Sequence, residues 1–225
     1  MTPSPLWFLD RSAGEVTLLL MTAAVMLGIV RAALPRSHPL LVEGLHTNLA
    51  LLAVVFAGLH VAAAILDPFA GLRPFDALVP FISGYRATWL GLGVISGYLY
   101  AVAILTSWPL RRLPRATWVW LHRTMYIGWL LALVHSLATG SDARNELFLL
   151  LDVLAVAGVL VAFIAYRVAE AWPTLPPLWA TLALIALIAT FGLGLWAANG
   201  PLQPGWARSS GTPPDLLHSS PASQP

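Results

Sequence analysis

The sequence predicts an all-α, polytopic membrane protein: a bundle of six transmembrane helices. Three observations predict it. Of the 225 residues, 58% are hydrophobic and only 10% are charged, whereas a soluble domain carries about 25% charged residues. Six apolar stretches approach the roughly 20 residues that a helix needs to cross a bilayer. The links between them are short and marked by proline and arginine.

The first stretch is Val16–Leu34, with Arg31 near its end. The second, Leu45–Leu66, lies between Glu43 and Asp67. The third, Ala87–Leu105, follows Arg86, and the fourth, Trp118–Ala138, carries Arg123 in its first turns. The fifth, Leu147–Tyr166, stops at Arg167; the sixth, Leu178–Ala198, is entered after Pro173, Pro176 and Pro177. Pro35-Arg36-Ser37-His38-Pro39 joins the first two, and Asp67-Pro68 opens a longer link through Gly71, Pro74 and Pro80. Trp108-Pro109 and Arg111-Arg112-Leu113-Pro114-Arg115 break the chain before the fourth. No link is long enough for a globular domain, so residues 1–199 read as one membrane domain. Residues 200–225 are rich in Pro, Ser and Gly and read as a disordered tail.

Composition excludes several functions. The net charge is only +2, and the twelve basic residues, all arginine, sit mostly in links, which argues against a nucleic-acid partner. There is no cysteine, so disulfides, thiolate-held iron–sulfur clusters, catalytic thiols and covalent haem attachment are ruled out. The N-terminus has neither a basic region before its apolar run nor a small-residue cleavage site, so that run reads as a retained helix.

Orientation follows the arginines. Seven (Arg31, Arg36, Arg111, Arg112, Arg115, Arg123 and Arg167) fall on the side of the odd-numbered links, against five (Arg11, Arg73, Arg86, Arg144 and Arg208) on the other. That bias places both termini outside and the start of the second and fourth helices near the cytoplasm. Trp89, Trp108, Trp118, Trp120, Trp172 and Trp196 lie near segment ends, as interfacial belts do. Gly93-Val94-Ile95-Ser96-Gly97 reads as a site of close helix packing.

Four histidines stand inside this apolar frame. His46 and His60 are fourteen residues apart on the second segment, and His122 and His135 thirteen apart on the fourth. At 1.5 Å per residue, each pair spans about 20 Å. The two segments run in the same direction, so His46 and His122 share one level and His60 and His135 the other. A lone histidine in an apolar helix is more often a packed side chain, but four arranged by level are hard to obtain by accident. Neutral imidazole is a good axial ligand for haem iron, and two non-covalent b-type haems would give an electron two stations across the bilayer. The geometry has one difficulty. Fourteen steps of about 100° return to within about 40° of the starting face, but thirteen leave about 140°. The fourth helix must therefore be overwound or tilted, or its two histidines must point in different directions.

Several motifs resemble the ferric-reductase-like transmembrane domain shared by ferric reductases and NADPH oxidases. They are Leu45-His46-Thr47-Asn48-Leu49, Phe56 to Asp67 around His60, Val79-Pro80-Phe81, Trp89-Leu90-Gly91-Leu92-Gly93, Leu121-His122-Arg123 and His135 to Asp142. The resemblance covers roughly residues 8–167. It implies that His46 and His122 hold an inner haem iron, that His60 and His135 hold an outer one, and that electrons pass from a cytoplasmic-side donor to an extracytoplasmic acceptor. That acceptor would be ferric iron, oxygen or a redox partner protein. The chain departs from the large family members: it shows no flavin or nicotinamide module, so flavin would sit on a separate reductase, unless quinol is the donor. Thr47 stands where relatives often carry arginine.

Other residues admit two readings each. Arg123 and Arg115 could meet the propionates of the inner haem, and Arg86 and Arg73 those of the outer haem, or all four could anchor the interface. Asp67, Asp76, Asp142 and Glu146 read as a solvated outer rim or as a collector of cationic acceptors. Asp152 could relay a proton or simply reach the interface. His38 and His218 read as unligated. Two alternatives stay open for the whole chain: a quinol-linked cytochrome subunit of a periplasmic reductase system, and a non-redox transporter holding metal on its histidines.

Overall fold

The computed structural model describes residues 4–33, 39–107, 113–140, 144–171 and 177–217, without the side chains of 32–33, 39–40, 167–183 and 185–186. Among the described residues it is all helical, with no strand. The long helices are α1 (Pro5–Ala33), α2 (Pro39–Leu66), α3 (Ala87–Ser107), α6 (Glu146–Ala171) and α7 (Pro177–Asn199). Between α3 and α6 lie α4 (Arg115–Arg123) and α5 (Met125–Thr139), and the chain closes with α8 (Trp206–Ser209) and α9 (Pro214–Leu217). Four helices (Pro5–Arg31, Leu41–Leu66, Ala87–Ser107 and Glu146–Tyr166) are long and apolar enough to cross a membrane.

α1 starts well before Val16, because Ser4 and Pro5 begin it. The Ser4 hydroxyl accepts the Trp7 amide at 3.0 Å, and proline at the first helical position gives up no hydrogen bond. The same hydroxyl donates to Asp67 at the end of α2, at 3.2 Å. The early start draws Asp10, Arg11 and Glu15 into the bundle. α1 is its centre, packing against α2, α5 and α6, while α3 packs against α4 and α5. Leu18, Met21, Val25 and Ile29 of α1 join Ala53, Tyr100, Trp129, Leu133 and Leu137 in the core. Two polar contacts tie helices together there: Trp129 Nε1 donates to Thr22 at 2.9 Å, and Ser96 donates to the Gly128 carbonyl at 2.7 Å. Large apolar side chains on the outside, such as Val55, Leu66, Leu154, Val161 and Phe191, are exposed. That distribution suits lipid as the solvent.

The expected fourth helix is two helices meeting at Thr124. The Thr124 amide reaches back three residues to Leu121 at 3.3 Å, and its hydroxyl donates to the same carbonyl at 2.7 Å. Its φ of −58° and ψ of −17° are those of a tightened 3₁₀ turn. One such turn advances about 60° further over three residues than an α-helix does. It recovers about 60° of the roughly 140° offset between His122 and His135.

The tail departs from expectation. Residues 200–217 are packed, while 218–225, with His218, lie outside the described residues. Trp206 joins Trp89 and Trp196, with ring centroids 5.4 Å and 6.1 Å away, and its Nε1 donates to the Ala138 carbonyl at 2.9 Å. Arg86, only 4% exposed, donates to Ala138 and Thr139 carbonyls at 3.0 Å each and to Thr212 at 2.8 Å. Carbonyls at a helix C-terminus have no partner within the helix, and the tail and Arg86 supply them at the end of α5.

Candidate functional site

Helices α1 to α5 bring the histidines together in two pairs. The His46 and His122 rings lie 6.0 Å apart between centroids, and the His60 and His135 rings 6.2 Å apart. Each pair borders its own cavity: about 720 Å³ at His46 and His122, and about 360 Å³ at His60 and His135.

Three of the four imidazoles are held the same way. His46 Nδ1 lies 2.8 Å from the Ala24 carbonyl, His60 Nδ1 3.0 Å from that of Asp10, and His135 Nδ1 2.9 Å from that of Trp89. Four residues after each carbonyl stands a glycine beside the ring: Gly28, Gly14 and Gly93 respectively. A Cβ there would lie 3.5 Å from His46, 3.0 Å from His60 and 2.7 Å from His135. The arrangement has a simple cause. A helical carbonyl points toward residue i+4, so a ring can share that carbonyl only if residue i+4 leaves room. At His122 the corresponding pair is Ala103 and Ser107. The Ser107 hydroxyl donates to the Ala103 carbonyl at 2.7 Å and faces His122 Nδ1 at 3.3 Å.

These contacts determine the tautomers. A carbonyl oxygen only accepts, so Nδ1 of His46, His60 and His135 carries the proton. The proton of Ser107 is committed to Ala103, so its oxygen accepts from His122 as well, and from Trp118 Nε1 at 3.3 Å. Every Nε2 is thereby left with a lone pair and, among the described residues, no hydrogen-bond partner. Trp118 also stacks on His122, with centroids 5.0 Å apart and planes 20° apart.

The geometry can be tested against a metal held between two imidazoles. With metal–nitrogen bonds of about 2.0 Å and ring centroids about 1.1 Å beyond, the centroids stand about 6.2 Å apart. Both pairs match. Among the described residues no group of three or more His, Asp or Glu side chains could hold an ion. Two imidazoles alone suit a metal that brings its own equatorial ligands, as porphyrin iron does.

The surroundings of the two cavities differ. Arg31, Arg115 and Arg123 line the cavity of His46 and His122, which is where an anionic cofactor edge would find cations. Near the cavity of His60 and His135, Arg73 and Arg86 are committed elsewhere. Arg73 pairs with Asp76 at 2.9 Å, and its guanidinium holds the Asp76 carboxyl below the usual range through their hydrogen bond. Arg11 lines the outer cavity instead, with a buried Nε that has no hydrogen-bond partner. Asp10, which sequence reasoning missed, sets a carboxylate oxygen 2.8 Å from His60 Nδ1. A carboxylate behind a histidine ligand raises its basicity. The acidic rim is not a free cluster: Asp67 accepts from Ser4 and from the Phe69 amide, and Asp142 and His38 lie outside the described residues. Gly97 has no neighbour within 4 Å, so Gly93 serves as a histidine seat rather than as half of a helix-packing pair.

One sequence signal for the seats existed. Asp10 and Ala24, Gly14 and Gly28, Trp89 and Ala103, and Gly93 and Ser107 are each fourteen residues apart. That is the spacing of His46 and His60 on the neighbouring helix.

Fold and site together define a multi-pass helical membrane protein with histidine pairs stacked at two depths. The chain belongs to the ferric reductase like transmembrane component family, whose pattern it matches over residues 13–133, just over half its length. The matched stretch contains His46, His60, His122 and Arg123 and ends just before His135. No curated protein and no solved structure matches the chain.

Proposed function

We propose that this protein carries single electrons across a bacterial inner membrane through two b-type haems. His46 and His122 hold the inner haem, and His60 and His135 the outer one. The observation that carries this reading is the pair of centroid separations, 6.0 Å and 6.2 Å, at two depths with all four Nε2 atoms free to coordinate. Bound between them, porphyrin iron supplies one-electron chemistry. In this reading six helices span the membrane, α4 and α5 together forming the fourth span and α7 the sixth. Both termini lie outside, and the His46–His122 level faces the cytoplasm.

The chain's own residues do the rest. The α1 and α3 carbonyls fix the imidazoles as Nδ1–H tautomers before any cofactor arrives. Arg123, Arg115 and Arg31 bind the propionates of the inner group, and Arg11 those of the outer. The apolar walls of α1–α3 and α5 exclude water from the iron ligands. The donor is a separate flavin reductase or quinol on the inner side, and the acceptor is ferric iron, oxygen or a redox partner protein outside.

The test is a dithionite-reduced minus oxidised spectrum of the purified protein, with haem quantified per chain. Two b-type haems are expected. Finding none would overturn the reading, and finding one would refute the two-level pairing. His60→Ala should lose the outer haem and keep the inner.

A further inference from the structure

α1 and α6 each bury a carboxyl in the wall of the cavity that holds the outer histidine pair. Glu15 is 8% exposed and Asp152 is 6% exposed. Glu15 Oε1 and Asp152 Oδ1 are buried without a hydrogen-bond partner, and the two groups are near enough to interact electrostatically. Both line the cavity of His60 and His135, which extends to Ser136, Thr139 and Gly140 at the outer end of α5.

Among the described residues no cation is ion-paired with either carboxyl. Arg11, one turn before Glu15, lies against Asp10 with Nε 3.6 Å from the carboxylate. From α2 and α5 the facing titratable groups are His60 and His135, whose Nδ1 protons are committed to α1 and α3. From α3 it is Tyr100, whose hydroxyl donates to the Ala50 carbonyl. Two ionised carboxyls facing each other in a medium of low dielectric repel and lack solvation, so the pair keeps at least one proton. An unpartnered oxygen on each side leaves room for a second.

We propose that Glu15 and Asp152 form a proton-binding site coupled to the outer redox centre. The proposal rests on the haem reading above. The pair shares one proton while the outer centre is oxidised. When one electron arrives from the inner centre, the remaining carboxylate takes one proton from the outer aqueous phase by way of the Thr139–Ser136 side of the cavity. When the electron leaves to the acceptor, that proton is released. Charge in the buried cavity is thereby balanced at each step, and the chain delivers electron and proton together to an acceptor that needs both.

The test is a spectroelectrochemical titration of the full-length, haem-loaded protein at a series of pH values, with the outer component identified as the one missing from His60→Ala. The outer midpoint should fall with rising pH at a slope of one proton per electron, while the inner midpoint stays flatter. Glu15→Gln with Asp152→Asn should remove the slope. A reduced-minus-oxidised infrared spectrum of the unaltered protein, with isotope-labelled aspartate, should show a new protonated-carboxyl band that shifts with the label. That measurement needs no variant to fold. A pH-independent outer midpoint, or a haem-loaded protein with no carboxyl band, would overturn the proposal and leave the haem reading intact. Protein that binds no haem would overturn both.

Discussion

Replacing Gly93 with alanine should dislodge His135 while leaving the inner pair alone. The added Cβ would sit 2.7 Å from Nδ1, 2.8 Å from Cε1 and 2.9 Å from Cγ of that ring. Ordinary contact begins near 3.4 Å, so the ring must retreat by about 0.7 Å or rotate off the Trp89 carbonyl. Overpacking of this kind costs about 1–3 kcal/mol, and weakening the Nδ1–H bond adds about 1 kcal/mol. The better helix propensity of alanine returns about 1 kcal/mol, leaving a net loss of about 1–3 kcal/mol at one histidine. The neighbouring seats provide a graded series. Gly14→Ala meets His60 at 3.0 Å and should do less damage, and Gly28→Ala meets His46 at 3.5 Å and should keep its ligand. Gly58→Ala meets nothing within 4 Å and is the control. The assay is haem content per chain and thermal unfolding in detergent for all four variants. A Gly93→Ala protein with the haem content and melting temperature of the unaltered chain, or a Gly58→Ala protein as damaged as Gly93→Ala, would refute the clash at His135.

Three further outcomes are expected. Gly91→Ala places a Cβ 2.8 Å from the backbone nitrogen of Phe81, where φ is already +68°; melting temperature should fall more than for Gly93→Ala, because backbone cannot rotate aside. Arg86→Met leaves the Thr139 carbonyl and the Thr212 hydroxyl without their donor and the Ala138 carbonyl with Trp206 alone; a loss of about 2–3 kcal/mol and faster proteolysis of residues 200–217 should follow, and an intact tail would contradict the clamp. The Arg73–Asp76 pair should make the loop before α3 acid-sensitive: with the folded carboxyl held down by the guanidinium, its contribution is complete above about pH 4, the unfolded value, and fades as pH falls toward the folded one. Asp76→Asn should flatten that dependence in proteolysis rates of the loop.

Much of the frame was legible because membrane insertion leaves a coarse mark. Residues such as Leu45–Leu66 must be apolar along a bilayer's thickness, whatever they pack against, and hydropathy reads that directly. The four histidines stood out for the same reason: each is a polar group where lipid penalises one. The first boundary was misread because Asp10, Arg11 and Glu15 look like an exit from the membrane. Their burial depends on His60, Gly14 and Asp152, which are distant in sequence. The contacts of Trp206 and Thr212 were not legible because Pro, Ser and Gly content describes a segment's own preferences, whereas these two side chains meet the Ala138 carbonyl and Arg86, which are distant in sequence.

The sequence by itself determined a multi-pass helical protein with two histidine levels fourteen and thirteen residues apart. Periodicity and hydropathy are properties of one segment at a time, and those features need no neighbour. Only the tertiary structure decided how the unequal spacings meet. The turn at Thr124 overwinds the chain between His122 and His135, and the seats on α1 and α3, a carbonyl and glycine for three rings and Ser107 for His122, fix the tautomers and directions. Those are contacts between helices, set by which backbone atom faces which side chain once the bundle has closed.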